Sequence, residues 1–319
     1  MKHLINIFGA FLMLISQGVN AQKISMNFPA YAGKTYDFVL FKGNKTNVLT
    51  GTIPSDGKFV LEIPIELSPY HGMSRWLITN TTEGGGLDMI IPGKDFSVEC
   101  LVEKPLQKDI IYKGNDENKT LDSIFSIQKM IIEKYSIMSK ALKIYSKTDK
   151  NYNIYNDEYS QQLINHDVFL ESLIHSNRYA DQFLMINNLT TGVGMSRLTA
   201  DESVKGKEAG KYITENMDWR ILYTSGYWDT VIKAWVDIQT TALDQTALQK
   251  NFVTIGNKLK SPEMYTSYVE RVTHYLTTLG KDDIIEKLTS TILSSKKMAN
   301  YDGVLSVYKN MITGSHAPD

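Results

Sequence analysis

The sequence predicts an α+β protein in which an antiparallel β-sandwich or barrel-like domain precedes an all-α helical domain. Three observations predict it. Apolar residues alternate with a period of two up to Tyr112, the period lengthens to helical spacing after residue 114, and Gly, Pro, Asn and Asp punctuate the first part at short intervals. The chain has 319 residues, more than the roughly 100–200 typical of one domain, so two domains with cores of their own are expected. Their expected extents are 22–113 and 114–312.

The first element is a leader. Met1-Lys2-His3 is short and basic, residues 4–19 are mostly apolar, and Val19-Asn20-Ala21 supplies small residues where a signal peptidase reads, so residues 1–21 are expected to be a cleaved signal peptide. A membrane span needs about 20 apolar residues, and this run is shorter and ends in polar ones. The expected location is periplasmic or secreted, with no membrane contact after cleavage.

The strands come next. Residues 36–41, 47–53 and 58–63 alternate as half-buried strands do, and Lys42-Gly43-Asn44-Lys45 and Pro54-Ser55-Asp56-Gly57 are turns between them. Further strands are expected at 75–79, 87–91, 95–102 and 110–112, with Pro92-Gly93-Lys94 as a tight turn. Seven or eight short strands at this spacing fit a sandwich or barrel. The one cysteine, Cys100, follows Phe96 and Val98 in the same alternation and is expected in the core.

Helices follow residue 114. Leu121, Ile124, Phe125, Ile131, Ile132, Tyr135, Met138, Leu142 and Tyr145 form one stripe of a long amphipathic helix, and Asn115 to Asn118 are positioned to cap its first turn. Helices are also expected over 155–176 and 178–189. Ser261-Pro262-Glu263 supplies an N-cap, a proline at the first helical position and an acid in the first turn of a helix ending at Gly280. Asp282 is expected to cap the helix after it, and Val304, Leu305, Tyr308, Met311 and Ile312 mark a last short one.

Charge and motifs narrow the function. Thirty-four basic residues against 35 acidic ones give a net charge of −1 without a basic block, which argues against nucleic acid or anionic membrane as partner. None of the six histidines forms His-Glu-x-x-His, and one cysteine cannot make a cysteine-rich zinc site or a resolving thiol pair. Neither Gly84-Gly85-Gly86 nor Gly192-Val193-Gly194 precedes Gly-Lys-Ser/Thr, so both read as loops. No catalytic, cofactor or metal residues are therefore assigned.

The remaining candidates are aromatic. Trp219, Tyr227, Trp228 and Trp235, with Arg220 among them, are the candidate ligand or interface residues, because such a cluster lines a groove for peptide or glycan. Core packing is the competing use: Trp228 and Trp235 lie seven apart and share a helical face. Asp218 and Arg220 read as an ion pair fixing a helix start.

Three segments resemble, in order, parts of exported bacterial thioredoxin-like or peroxiredoxin-like thiol-disulfide oxidoreductases. Ile90-Ile91-Pro92-Gly93-Lys94-Asp95, with Tyr112-Lys113-Gly114-Asn115-Asp116-Glu117-Asn118 leading into a helix, looks like the β-domain upstream of their redox domain. Asp218-Trp219-Arg220-Ile221-Leu222-Tyr223-Thr224 is similar to a D-x-R-L-L-x-T segment of their helical region, departing at Ile221 and Tyr223. Gly314-Ser315-His316-Ala317-Pro318-Asp319 looks like the G-x-x-A-P-D-F entry into the redox domain, so the resemblance implies that residues 313–319 begin a thioredoxin-like domain. It further implies a non-catalytic role, positioning that domain or recognising its exported protein clients, with no cofactor in this chain. The alternative expectation is a self-sufficient exported peptide- or glycan-binding protein.

Overall fold

The computed structural model describes residues 21–82, 84–192, 198–242, 245–300 and 304–313. The expected leader up to residue 20, the 314–319 segment and Val193-Gly194 lie outside these residues. Strands come first and helices after, in an α+β arrangement. Strands β1 (Lys23–Asn27), β2 (Thr35–Lys42), β3 (Lys45–Thr52), β4 (Lys58–Glu62), β5 (His71–Thr79), β6 (Gly86–Pro92), β7 (Phe96–Glu99) and β8 (Ile111–Lys113) form two four-stranded sheets, ordered β4-β1-β7-β8 and β3-β2-β5-β6.

One strand pair departs from the antiparallel expectation. β1 and β7 run parallel, with Ile24 beside Phe96 and Met26 beside Val98. β1, absent from the predicted strands, already pairs antiparallel with β4 on one edge, and β7 fills its other edge after the chain has passed through the second sheet. β7 also stops at Glu99 instead of reaching residue 102, leaving Leu101 and Val102 exposed. Between the sheets, Trp76 packs on Phe28 at 4.6 Å and on Tyr36 at 6.1 Å between ring centroids, and Ile24, Phe38, Leu40 and Met89 are fully buried. Each such side chain stabilises the fold by about 1.5–3 kcal/mol. Cys100 belongs to this core, its Sγ 3.5 Å from the Val102 carbonyl.

The helices are α1 (Asp116–Ile144), α2 (Tyr152–Ile174), α3 (Tyr179–Thr191), α4 (Glu202–Lys211), α5 (Trp219–Tyr223), α6 (Trp228–Ala242), α7 (Gln245–Lys258), α8 (Pro262–Thr278), α9 (Asp282–Ser295) and α10 (Val304–Thr313). A π-helical turn, Tyr212–Asn216, continues α4. Ser261 caps α8 as its sequence predicts, its Oγ accepting from the Met264 N–H at 3.1 Å. Two other predicted caps do not form. Asn115 makes no cap bond; its amide and that of Asn118 donate to the Ile90 carbonyl at 2.8 and 3.0 Å, and Asn118 Oδ1 accepts from the Ile90 N–H, pinning α1 to β6. Asp282 is the first helical residue of α9, behind Lys281 at the N-cap. There its carboxylate favours the helix through the positive end of the helix dipole.

A polar seam locks the two regions together. Tyr179 OH accepts from the Met73 N–H at 3.0 Å and lies 3.0 Å from the Thr224 carbonyl, which also accepts from Met73 N–H. Thr224 Oγ1 donates to the His71 carbonyl at 2.9 Å, and the Gly43 N–H donates to the Tyr223 carbonyl at 2.7 Å. Two glycines permit this approach. A Cβ on Gly72 would sit 2.5 Å from Thr224 Cβ, and one on Gly43, whose φ is +63°, would sit 2.5 Å from the Tyr223 ring.

Candidate functional site

The site grows from the π-helical turn. One extra residue in the turn lets the Met217 N–H reach back to the Tyr212 carbonyl at 2.9 Å, five residues away, and such insertions are frequent at functional sites. The turn is held from behind by three bonds. Trp219 Nε1 donates to the Ile213 carbonyl at 3.1 Å, Trp235 Nε1 to Thr214 Oγ1 at 3.1 Å, and Tyr212 OH to Gln182 Oε1 at 3.0 Å.

In front of the turn lie two adjoining concavities that share Ile174, His175 and Asn216. The first, about 590 Å³, is lined by Asp218, Trp219, Arg220, Asn257, Lys258 and Lys260, among others. The second, about 740 Å³, is lined by Asp167, Val168, Leu170, Glu171, Glu208 and Lys211, among others. Volumes in this range suit a small molecule or a few residues of an extended peptide. Their charges differ in sign: the first carries three cations against Asp218, and the second carries Lys211 against three carboxylates.

Electrostatics single out Lys258. Asp218 is met by Arg220 through Nη2 at 2.7 Å and Nε at 3.1 Å, and it also accepts from the Arg220 N–H at 2.9 Å. Burial opposes the charged form of Asp218, but these bonds outweigh it and hold the carboxyl below the usual carboxylate range. Lys258 is half-buried and makes no ion pair among the described residues. Burial pushes its ammonium below the usual lysine range, while the Glu215 and Asp218 carboxylates pull it back up. An ammonium in that position favours an incoming anion, which would relieve its desolvation.

The predicted aromatic site divides. Trp219 and Arg220 line the first concavity, although Trp219 is only 2% exposed and shows little more than an edge. Trp228 and Trp235 are buried behind it, Trp228 edge-on to Trp219 at 5.6 Å and Trp235 6.1 Å from Tyr268. Tyr227 faces α3, its ring 5.8 Å from Phe183 and its OH accepting from Asn187 at 3.2 Å. The cluster is thus mainly core, and residues the sequence reading passed over complete the groove: Asn216, Asn257, Lys258, Lys260 and Lys211.

The Ser176 hydroxyl and the His175 imidazole that line the groove both face neighbouring carboxylates. Ser176 Oγ is directed at Asp181 and accepts from the Arg178 N–H, making it a joint of the α2–α3 turn. His175 Nε2 faces Glu171 at 3.3 Å on the exposed side. No cluster of His, Cys, Asp or Glu suited to a metal occurs among the described residues, and none of their helices is long and apolar enough to cross a membrane. No family model, curated protein or solved structure matches the chain.

Proposed function

We propose that the chain is a non-catalytic recognition module that holds an exported protein client for a thioredoxin-like redox domain, with the two-part groove as its client site. The observation that carries this reading is Lys258, a half-buried cation without an ion-pair partner among the described residues, facing a concavity it shares with Arg220 and Lys260. The preferred segment is an extended polypeptide whose acidic residues meet this first concavity, and whose basic or apolar residues meet Val168, Leu170 and the carboxylates of the second. Cys100 is 1% exposed, so the thiol chemistry is assigned to the redox domain. The link to thioredoxin-like proteins rests on the resemblance of the 218–224 segment and the flanking motifs.

The second reading, a self-sufficient exported binding protein, uses the same groove. Its glycan form is the weaker, because sugar recognition needs exposed aromatic faces and the tryptophans here are spent on the core. Fluorescence anisotropy with a labelled, reduced and carboxymethylated unfolded polypeptide tests both. Saturable binding that weakens with salt, and competition by an added thioredoxin-like domain or its enhancement of capture, is expected. Binding that the redox domain never alters would favour the self-sufficient protein, and no binding would defeat both readings.

A further inference from the structure

α1 carries two apolar stripes, and only one has a partner among the described residues. The inner stripe, with Ile124 and Ile131 buried, packs on α2, α3 and β6. Beside it Ile127, Met130, Ile137 and Ile144 are 43%, 55%, 59% and 81% exposed. At 100° per residue these four fall within an arc of about 100°, a stripe about 26 Å long. With Lys134 and Ala141 they repeat at intervals of three and four, which is the a and d seam of a heptad coiled coil.

From this pattern we infer that α1 pairs with α1 of a second copy of this chain, antiparallel about a two-fold axis. The stripe is complementary to itself only in that direction. Turned end for end, Ile127 meets Ile144 of the partner, Met130 meets Ala141, and Lys134 meets Ile137, giving six layers in which large residues face small or branched ones. The flanking charges match in the same register, because Glu133 on one rim falls opposite Lys140 of the partner, and the two-fold repeats the pair. Glu133 is 61% exposed and its ion pair with Lys129 is a long one of 3.8 Å, which leaves its carboxylate open to a partner. Lys134 takes one layer position while its Nζ lies 3.5 Å from Glu158 of its own α2. A lone lysine at such a position costs stability and selects register.

Sedimentation velocity of the 319-residue chain, from about 5 to 200 μM, tests the pairing. A small interface of this kind predicts a reversible dimer with Kd on the order of 10 μM. Ile137→Lys should weaken it by at least about 30-fold, since its ammonium would face Lys134 of the partner in both central layers, while leaving the circular dichroism and the thermal midpoint of the exposed site unchanged. Glu133→Lys and Lys140→Glu should each weaken it about 3- to 10-fold, and the double variant should recover the original affinity. Recovery is the readout that general stickiness does not give. A monomer at every concentration, which would leave the stripe to some other occupant such as a redox domain, overturns the inference, as does a dimer indifferent to Ile137→Lys or to the charge swap.

Discussion

At the seam, the Thr224 hydroxyl, the Thr224 carbonyl and the Tyr223 carbonyl are each met by a partner within 3.0 Å, whereas four residues earlier in the same segment Arg220 is 76% exposed, in a concavity shared with Lys258, which makes no ion pair among the described residues. The two ends of the 218–224 segment therefore do different work. The seam spends its polar groups internally and excludes side chains even as small as a methyl at Gly72, so it joins the two regions rigidly. In the groove Arg220 is bound to Asp218, whereas Lys258 makes no ion pair among the described residues. The short helix α5 connects seam and groove.

That contrast can be broken at its strongest point by Trp235→Ala. Removing this fully buried indole behind the groove should cost about 3–5 kcal/mol in urea unfolding, whereas Arg220→Ala should stay within about 0.5 kcal/mol, as exposed substitutions do. Gly72→Ala should cost about 1–3 kcal/mol, because the added methyl has no room at Thr224; if stability were unaffected, the seam would be looser than described. Lys258→Gln addresses the groove alone. It should leave the unfolding midpoint nearly unchanged while weakening capture of the unfolded polypeptide about tenfold, the loss of one charge-assisted contact.

The smallest effect concerns a buried histidine of α2, next in sequence to Asp167 of the second concavity. His166 is 1% exposed and its Nδ1 has no hydrogen-bond partner among the described residues; burial pushes its imidazole below the usual histidine range, with the Asp167 carboxylate at 3.8 Å opposing. The unfolded chain, with an ordinary histidine near pH 6.5, then takes up the proton first. This contribution to stability is complete above about pH 6.5 and is lost as the pH falls from there toward the folded value. Urea midpoints measured across that window should decline for the native chain and decline less for His166→Gln.

Much of this fold can be read from local spacing. Period two marks β2 to β4 because each has one face on the sandwich core, and the seven-residue interval of Trp228 and Trp235 marks a buried helix face. Long-range pairings were not legible. β1 becomes a strand only by pairing with β4 and β7, and the amides of Asn115 and Asn118 turn from the expected caps to Ile90, more than twenty positions back. The groove was the least visible part. Arg220 and Lys258 are brought together by the folding of α6 and α7 between them, and the π-helical turn that shapes the site leaves no periodic signal in five residues.

Hydrogen exchange measured by mass spectrometry, with and without a saturating unfolded polypeptide, tests the account's central claim most directly. Slowed exchange confined to peptides covering 174–177, 211–220 and 257–260, with the seam around 72–73 and 223–224 unchanged, is the expected result. Protection located elsewhere, or none at saturation, would contradict the assignment of the groove as the client site.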